Sequence, residues 1–323
     1  MKHFISSARL NTYKSILKIK NEDEILRAYY WNKALCGSIY PVMQTLEVTL
    51  RNALNESVKL HHNGKYLGKD WWFEHMATDI QNSKIKKMSE KNRNKWLKPD
   101  GVTRKKKSFA EQAVLGIIKD LQRENRTPIL HDDVISRLTF GYWVSALGSD
   151  YEDVTNKKLL WPNLLPHIFP NTPHKPKRLR IEAALRRVKD LRNRMSHHEP
   201  IWKFYQLDST GKSDYSKPVY GLNTSLSLLE KAYDEVLNII RWMSEDRYQS
   251  FIAGKLDVDF RKLCSHDGFY GFVSPDKILN KVAKTKLKRE FRKYMTPDLP
   301  SEVVLITQNK LPNLVLGINQ PRV

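Results

Sequence analysis

Apolar residues recur along most of this chain at offsets of three, four and seven, the spacing that gathers them on one face of an α-helix. The pattern is sustained from about Lys177 to His198, where Ile181, Ala184, Leu185, Val188, Leu191 and Met195 form the stripe. It returns from Leu226 to Met243 through Leu228, Leu229, Ala232, Val236, Ile239 and Ile240. An earlier run, from Pro41 to Leu60, carries Val42, Leu46, Val48, Leu50, Ala53, Leu54 and Val58. Before it, Asn21 or Asp23 is placed to cap a helix opening near Glu24. Residues 74–98 predict a polar helix ending before Pro99, and Phe109 to Arg123 predict another. His131-Asp132-Asp133 opens a further helix, with acidic groups at its positive end, that continues through Val144.

Breakers separate these runs. Five prolines between Trp161 and Pro176 exclude a long helix there. Asp208 to Pro218, rich in Ser, Gly, Lys and Asp, predicts an exposed loop, and Trp71-Trp72-Phe73 predicts packing rather than a ligand cage. Beyond residue 250 the composition shifts. Lys281 to Tyr294 predicts a basic helix, and Val303 to Ile306 an edge strand or extended arm. The fold class is therefore mainly α, a helical bundle with additional helices and an irregular C-terminal extension, divided as 1–250 and 251–323.

Charge changes the picture. The 323 residues hold 56 Lys plus Arg against 35 Asp plus Glu, a formal charge of +21 that favours a polyanionic partner. The excess clusters at Arg104-Lys105-Lys106-Lys107, at Lys175, Lys177, Arg178 and Arg180, and between Lys281 and Lys293. The first two clusters are candidate nucleic-acid-binding surfaces. Two cysteines, Cys36 and Cys264, cannot build a disulfide framework or a cysteine zinc site. Without a signal-peptide pattern or a membrane-length apolar run, the expected location is the cytoplasm, with no membrane partner.

The chemistry concentrates in Arg192-Asn193-Arg194-Met195-Ser196-His197-His198-Glu199-Pro200. Arg followed five residues later by His occurs three times, at Arg126/His131, Arg192/His197 and Arg261/His266, so spacing alone decides nothing. Pro128 interrupts the first pair and the third runs into a turn; only the middle pair lies on a sustained helical pattern. There Asn193 and His197 share a face, and Pro200 ends the helix just beyond. A guanidinium, an amide and an imidazole are the groups needed to cut RNA through its own 2′-hydroxyl. The same residues also fit a charged helix end with two solvated histidines. A metal site on His197, His198 and Glu199 ranks lower, because adjacent histidines diverge on a helix. Upstream, Glu47 and Arg51 have ion-pair spacing.

Leu191 to Trp202 resembles the central motif of the Abi-like, abortive-infection family within the HEPN superfamily of helical nucleases. Leu46 to Asn52, Leu138 to Ser145 and Ile240 to Ser244 resemble its other landmarks, so the likeness covers about residues 25–260. The resemblance implies a HEPN-type helical bundle and a metal-independent endoribonuclease of a toxin-like, phage-defence system, with no cofactor and an RNA substrate. Arg192, Asn193 and His197 carry over as the catalytic set, with His198, Glu47, Arg51 and Asn52 as accessory candidates. The upstream helix has Glu56 where a second motif would require His. One motif per chain, in a superfamily that pairs them, implies a homodimer; restraint by a regulatory RNA or protein inhibitor is a further expectation. The competing reading is a non-catalytic RNA-binding or sensing protein.

Overall fold

A computed structural model describes residues 4–68, 71–175, 177–209 and 213–274, residues 285 and 289, and the backbone of 280–283, 303–308 and 311–317. Helix dominates the described residues. In chain order they form α1 (Ser7–Leu17), α2 (Glu22–His61), α3 (Trp72–Lys86), α4 (Glu90–Trp96), α5 (Phe109–Arg123), α6 (His131–Arg137), α7 (Phe140–Ser145), α8 (Leu165–Ile168) and α9 (Arg178–Ser196). Strands β1 (Tyr205–Leu207) and β2 (Ser213–Pro218) precede α10 (Leu222–Met243), α11 (Glu245–Ala253), α12 (Val258–Leu263) and α13 (His266–Val273). Strands β3 (Asn280–Ala283), β4 (Val303–Gln308) and β5 (Leu311–Gly317) follow.

Side-chain caps set several boundaries. Asn21 Oδ1 accepts from the Asp23 and Glu24 N–H groups at 2.8 and 3.3 Å, which starts α2 where the sequence places a cap. The two helices expected around Pro41 are one helix of 40 residues. Pro41 removes one backbone donor, but Leu35, Ile39, Val42, Leu46, Leu50, Leu54 and Val58 all reach zero exposure along one face. Burying a side chain of this kind yields about 1.5–3 kcal/mol, so the stripe outweighs the roughly 3 kcal/mol of an internal proline. Helix α5 opens on a capping box, Ser108 with Glu111. The single helix expected from His131 to Val144 is broken, because the Thr139 hydroxyl accepts from the Tyr142 N–H at 3.3 Å and starts α7 afresh.

Two compact units result: one of residues 1–41, 194–233 and 250–323, the other of 42–193 and 234–249, with boundaries falling inside α2, α9, α10 and α11. In the first, Trp31, Trp202 and Tyr13 are fully buried. Trp31 meets Phe269 edge-on at 4.9 Å and donates its indole N–H to the Leu263 carbonyl at 2.9 Å. Tyr233 stacks on Phe260 at 3.8 Å, so residues beyond 250 furnish part of this core. Asp208 to Pro218, expected as a loop, instead contributes β2, antiparallel to β1. The segment expected as a basic helix from Lys281 holds β3 as far as Ala283; most of the rest of it lies outside the described residues. Strand β4, expected at an edge, is the middle strand of three, parallel to β3 and antiparallel to β5.

The core of the second unit is aromatic. Trp72, Phe73, Tyr142 and Trp143 are buried, and Phe73 meets Trp143 edge-on at 6.2 Å, so Trp72-Phe73 packs as the sequence predicts. A buried polar chain runs through it. The Trp71 backbone N–H donates to His131 Nδ1 at 3.1 Å, which leaves the proton on Nε2 to donate to Asn55 Oδ1, also at 3.1 Å. Asn55 Oδ1 also accepts the Trp72 indole N–H at 3.0 Å. His131, half of the first Arg/His pair, is therefore a core residue.

Candidate active site

Helix α9 holds its apolar stripe as expected: Ile181, Ala184, Leu185, Val188 and Leu191 are buried. It ends at Ser196, two residues earlier than the sequence pattern suggests. The exit is a Schellman turn. The His198 N–H donates to the Met195 carbonyl at 3.0 Å and the Glu199 N–H to the Arg194 carbonyl at 2.9 Å. His198 takes the left-handed conformation such a turn requires, φ 57°, at a position usually given to glycine. An apolar contact commonly closes this motif; here the Arg194 and Glu199 side chains take its place, 4.0 Å apart.

Two further residues fasten the turn within the first unit. Arg194 donates a guanidinium N–H to the Pro200 carbonyl and lies 5.7 Å from the centre of the Phe204 ring. Burial pushes its pKa below the ordinary arginine value, and Glu199 opposes the shift. Asn32, only 3 % exposed, brackets Pro200: its amide donates to the Glu199 carbonyl at 3.2 Å and accepts the Ile201 N–H at 3.0 Å. Burial likewise pushes the nearby Cys36 thiol up to about 11, with Arg194 opposing, so it stays protonated near neutral pH. Ile201 and Trp202 then enter the core with zero exposure. Sequence reasoning missed Asn32. Its signal was a lone amide beside the apolar positions Ala28, Trp31, Leu35 and Ile39 of one helix.

The expected catalytic residues sit at this helix end. Arg192 and Asn193 are half-buried on the last turns of α9, whereas His197 and His198 are exposed on the turn itself. His197 is the half-helical residue between Ser196 and the left-handed His198. The accessory candidates behave differently. Arg51 does not pair with Glu47: it donates to the Asn52 side chain and to the Ser136 carbonyl, both at 3.3 Å. A backbone acceptor at the end of α6 outcompetes an i,i+4 carboxylate whose pairing is worth only a few tenths of a kcal/mol. Arg51 thereby braces α2 against α6.

The basic clusters divide in the same way. Arg104 forms a two-pronged pair with Glu111, one N–H to oxygen distance being 2.7 Å. Burial pushes the Glu111 carboxyl up, but hydrogen bonds from Arg104, Ser108 and Thr78 outweigh it and hold the group at about 2. Lys105 reaches the Asn94 carbonyl at 2.9 Å, while Lys106 and Lys107 are exposed. Arg178 is buried, paired with Glu152 at 3.0 Å and with Glu182, and donates to the Leu147 carbonyl at 2.8 Å. Lys175, Lys177 and Arg180 remain on the surface. The exposed charge of these clusters thus comes from the lysines and Arg180, and Arg104 and Arg178 hold the fold.

No helix among the described residues is long and apolar enough to cross a membrane. A family model described as Abi-like protein matches residues 2–203, ending one residue after the buried Trp202. No curated protein and no solved structure matches the chain.

Proposed function

Since this chain belongs to the Abi-like protein family, we propose that it is a metal-independent endoribonuclease of abortive-infection defence, with its site at the end of helix α9. A ribose 2′-OH attacks the adjacent phosphodiester. His197 moves the proton as general base or acid, and Arg192 stabilises the negative charge that builds on phosphorus in the transition state. Asn193 positions the imidazole or a phosphate oxygen. The 5′-oxygen leaves with a proton, so the products are a 2′,3′-cyclic phosphate and a 5′-hydroxyl, and DNA resists for want of the nucleophile.

One observation carries the reading. The turn bearing His197 and His198 is fastened from beneath by Asn32, Arg194 and Glu199, while both imidazoles face outward. The buried amide that holds both sides of Pro200 stabilises the fold. It also supports the reading, because a reacting imidazole needs its placement kept to within a fraction of an ångström. As one chain carries one such motif, two copies are proposed to assemble a composite site.

The test is incubation of the purified protein with RNA in EDTA, beside Arg192→Ala and His197→Ala, with chemical analysis of the product ends. Cyclic-phosphate ends that fall about 10²–10⁴-fold with His197→Ala are expected. Cleavage abolished by EDTA, or indifferent to His197→Ala, overturns the mechanism. RNA bound but left intact by all three proteins favours a binding or sensing role instead. Light scattering that shows only monomer during active cleavage overturns the composite site.

A further inference from the structure

The segment leading into α9 and residue Trp242 of α10 together line a cavity of about 310 Å³. Its walls are of two kinds. Pro173, Ile181 and the half-buried Trp242 are apolar, and the Arg180 guanidinium lies 5.9 Å from the centre of the Trp242 ring. His174, Lys175, Lys177 and Arg180 supply the polar side, all of them exposed. No described carboxylate lies within ion-pairing distance of Lys175, Lys177 or Arg180, although Arg178, one position along, is neutralised by two. The cavity stands apart from the proposed active site: Arg180 and Arg192 are twelve residues apart on one helix, about 18 Å along its axis.

An aromatic face, an apolar wall and unneutralised cations suit a ligand that is flat and apolar at one end and anionic at the other. The volume lies at the lower end of small-molecule sites, which run from about 300 to 1,000 Å³. It accommodates one nucleotide unit and little more. An indole partly covered by a guanidinium is a stacking platform for any base, since every base has a π-face. We propose that this cavity binds a single nucleotide unit, its base against Trp242 and Arg180 and its phosphate among Lys175, Lys177 and His174. The ligand is either a free nucleoside monophosphate or an unstacked nucleotide of an RNA strand. The inference is independent of whether the α9 turn cuts RNA.

The experiment uses the full-length protein with His197→Ala, so that bound RNA persists, and adds Trp242→Ala, Trp242→Phe and Lys175→Ala/Lys177→Ala in turn. AMP, adenosine, inorganic phosphate and a short single-stranded RNA are titrated calorimetrically, and circular dichroism verifies each fold. Loss of one stacked base weakens binding about fivefold to 150-fold, so Trp242→Ala should lose affinity in that range while Trp242→Phe retains most of it. Saturable AMP binding that follows this pattern assigns a free nucleotide; the same pattern with RNA alone assigns a strand. A Trp242→Ala variant that binds both as before overturns the proposal. So does inorganic phosphate that competes as well as AMP, since the base would then contribute nothing. If Trp242→Ala fails to fold, Trp242→Phe and the lysine pair decide: lysine replacement that leaves AMP and RNA affinity unchanged is equally fatal.

Discussion

Asn32 offers the sharpest test of how the α9 turn is held. Replacing it with Leu conserves volume and removes both hydrogen bonds that bracket Pro200, at 3.2 and 3.0 Å. Each is worth about 1 kcal/mol net, and the Ile201 N–H left buried without a partner adds about 1–3 kcal/mol. The expected destabilisation is therefore about 3–5 kcal/mol, more than a hundredfold in the unfolding equilibrium. Urea unfolding should show it as a lower midpoint with an unchanged slope, which marks altered stability rather than altered compactness. Asn32→Asp keeps the acceptor for Ile201 but loses the donor and buries a charge, so its loss should be at least as large. RNA cleavage should fall in both variants under conditions where they remain folded. An Asn32→Leu protein as stable as the parent and equally active would show that the turn holds itself, and the argument from its fastening would fail.

Other expectations rest on the charged network. Glu111, held at about 2, contributes stability that is complete above its unfolded value near 4.5 and is lost as pH falls towards 2. The shift corresponds to about 3 kcal/mol, so Glu111→Gln should lower stability at pH 7 by that order and flatten the acid limb of the unfolding curve. An unchanged acid limb refutes the assignment. Arg178→Met strands the carboxylate of Glu152, leaves Glu182 to Arg186 alone, and should cost about 3–5 kcal/mol by chemical denaturation. Adding Glu152→Gln and Glu182→Gln should recover much of that; no recovery would mean that Arg178 acts through packing. Finally, replacing Lys105, Lys106 and Lys107 by Ala should reduce the salt-dependence slope of single-stranded RNA binding by up to about 2, at roughly 0.7 per phosphate contact. A slope that does not move places the RNA elsewhere.

The local code was legible where one force dominated. The run from Phe109 to Arg123 announced α5, Asn21 announced α2, and the stripe from Ile181 to Leu191 announced α9, because capping and amphipathic period act within a few residues. What failed depended on packing and on which charges pair, not on the local pattern. Pro41 reads as a boundary until its helix is seen to bury an unbroken apolar face. Arg104 and Arg178 read as phosphate ligands until Glu111, Glu152 and Glu182 are found opposite them. At the candidate site the motif residues were legible as a run, but their division was not: Arg194 turns inward onto Pro200 while its neighbours remain nearer the surface. Asn32, remote in sequence, could only be suspected as an amide out of place.

The left-handed backbone at His198 shapes how mutational data on this turn must be interpreted. An ordinary L-residue pays roughly 1–2 kcal/mol for that conformation, and glycine is nearly exempt. Alanine therefore changes the side chain and keeps the backbone penalty, whereas valine, isoleucine or threonine would pry the turn open and displace His197 with it. Glycine or asparagine removes the imidazole and leaves the path of the chain intact. Sequence variation at this position accordingly carries two separable messages. Drift between histidine, asparagine and glycine records a constraint of shape alone, and strict retention of histidine records a proton that has to be moved.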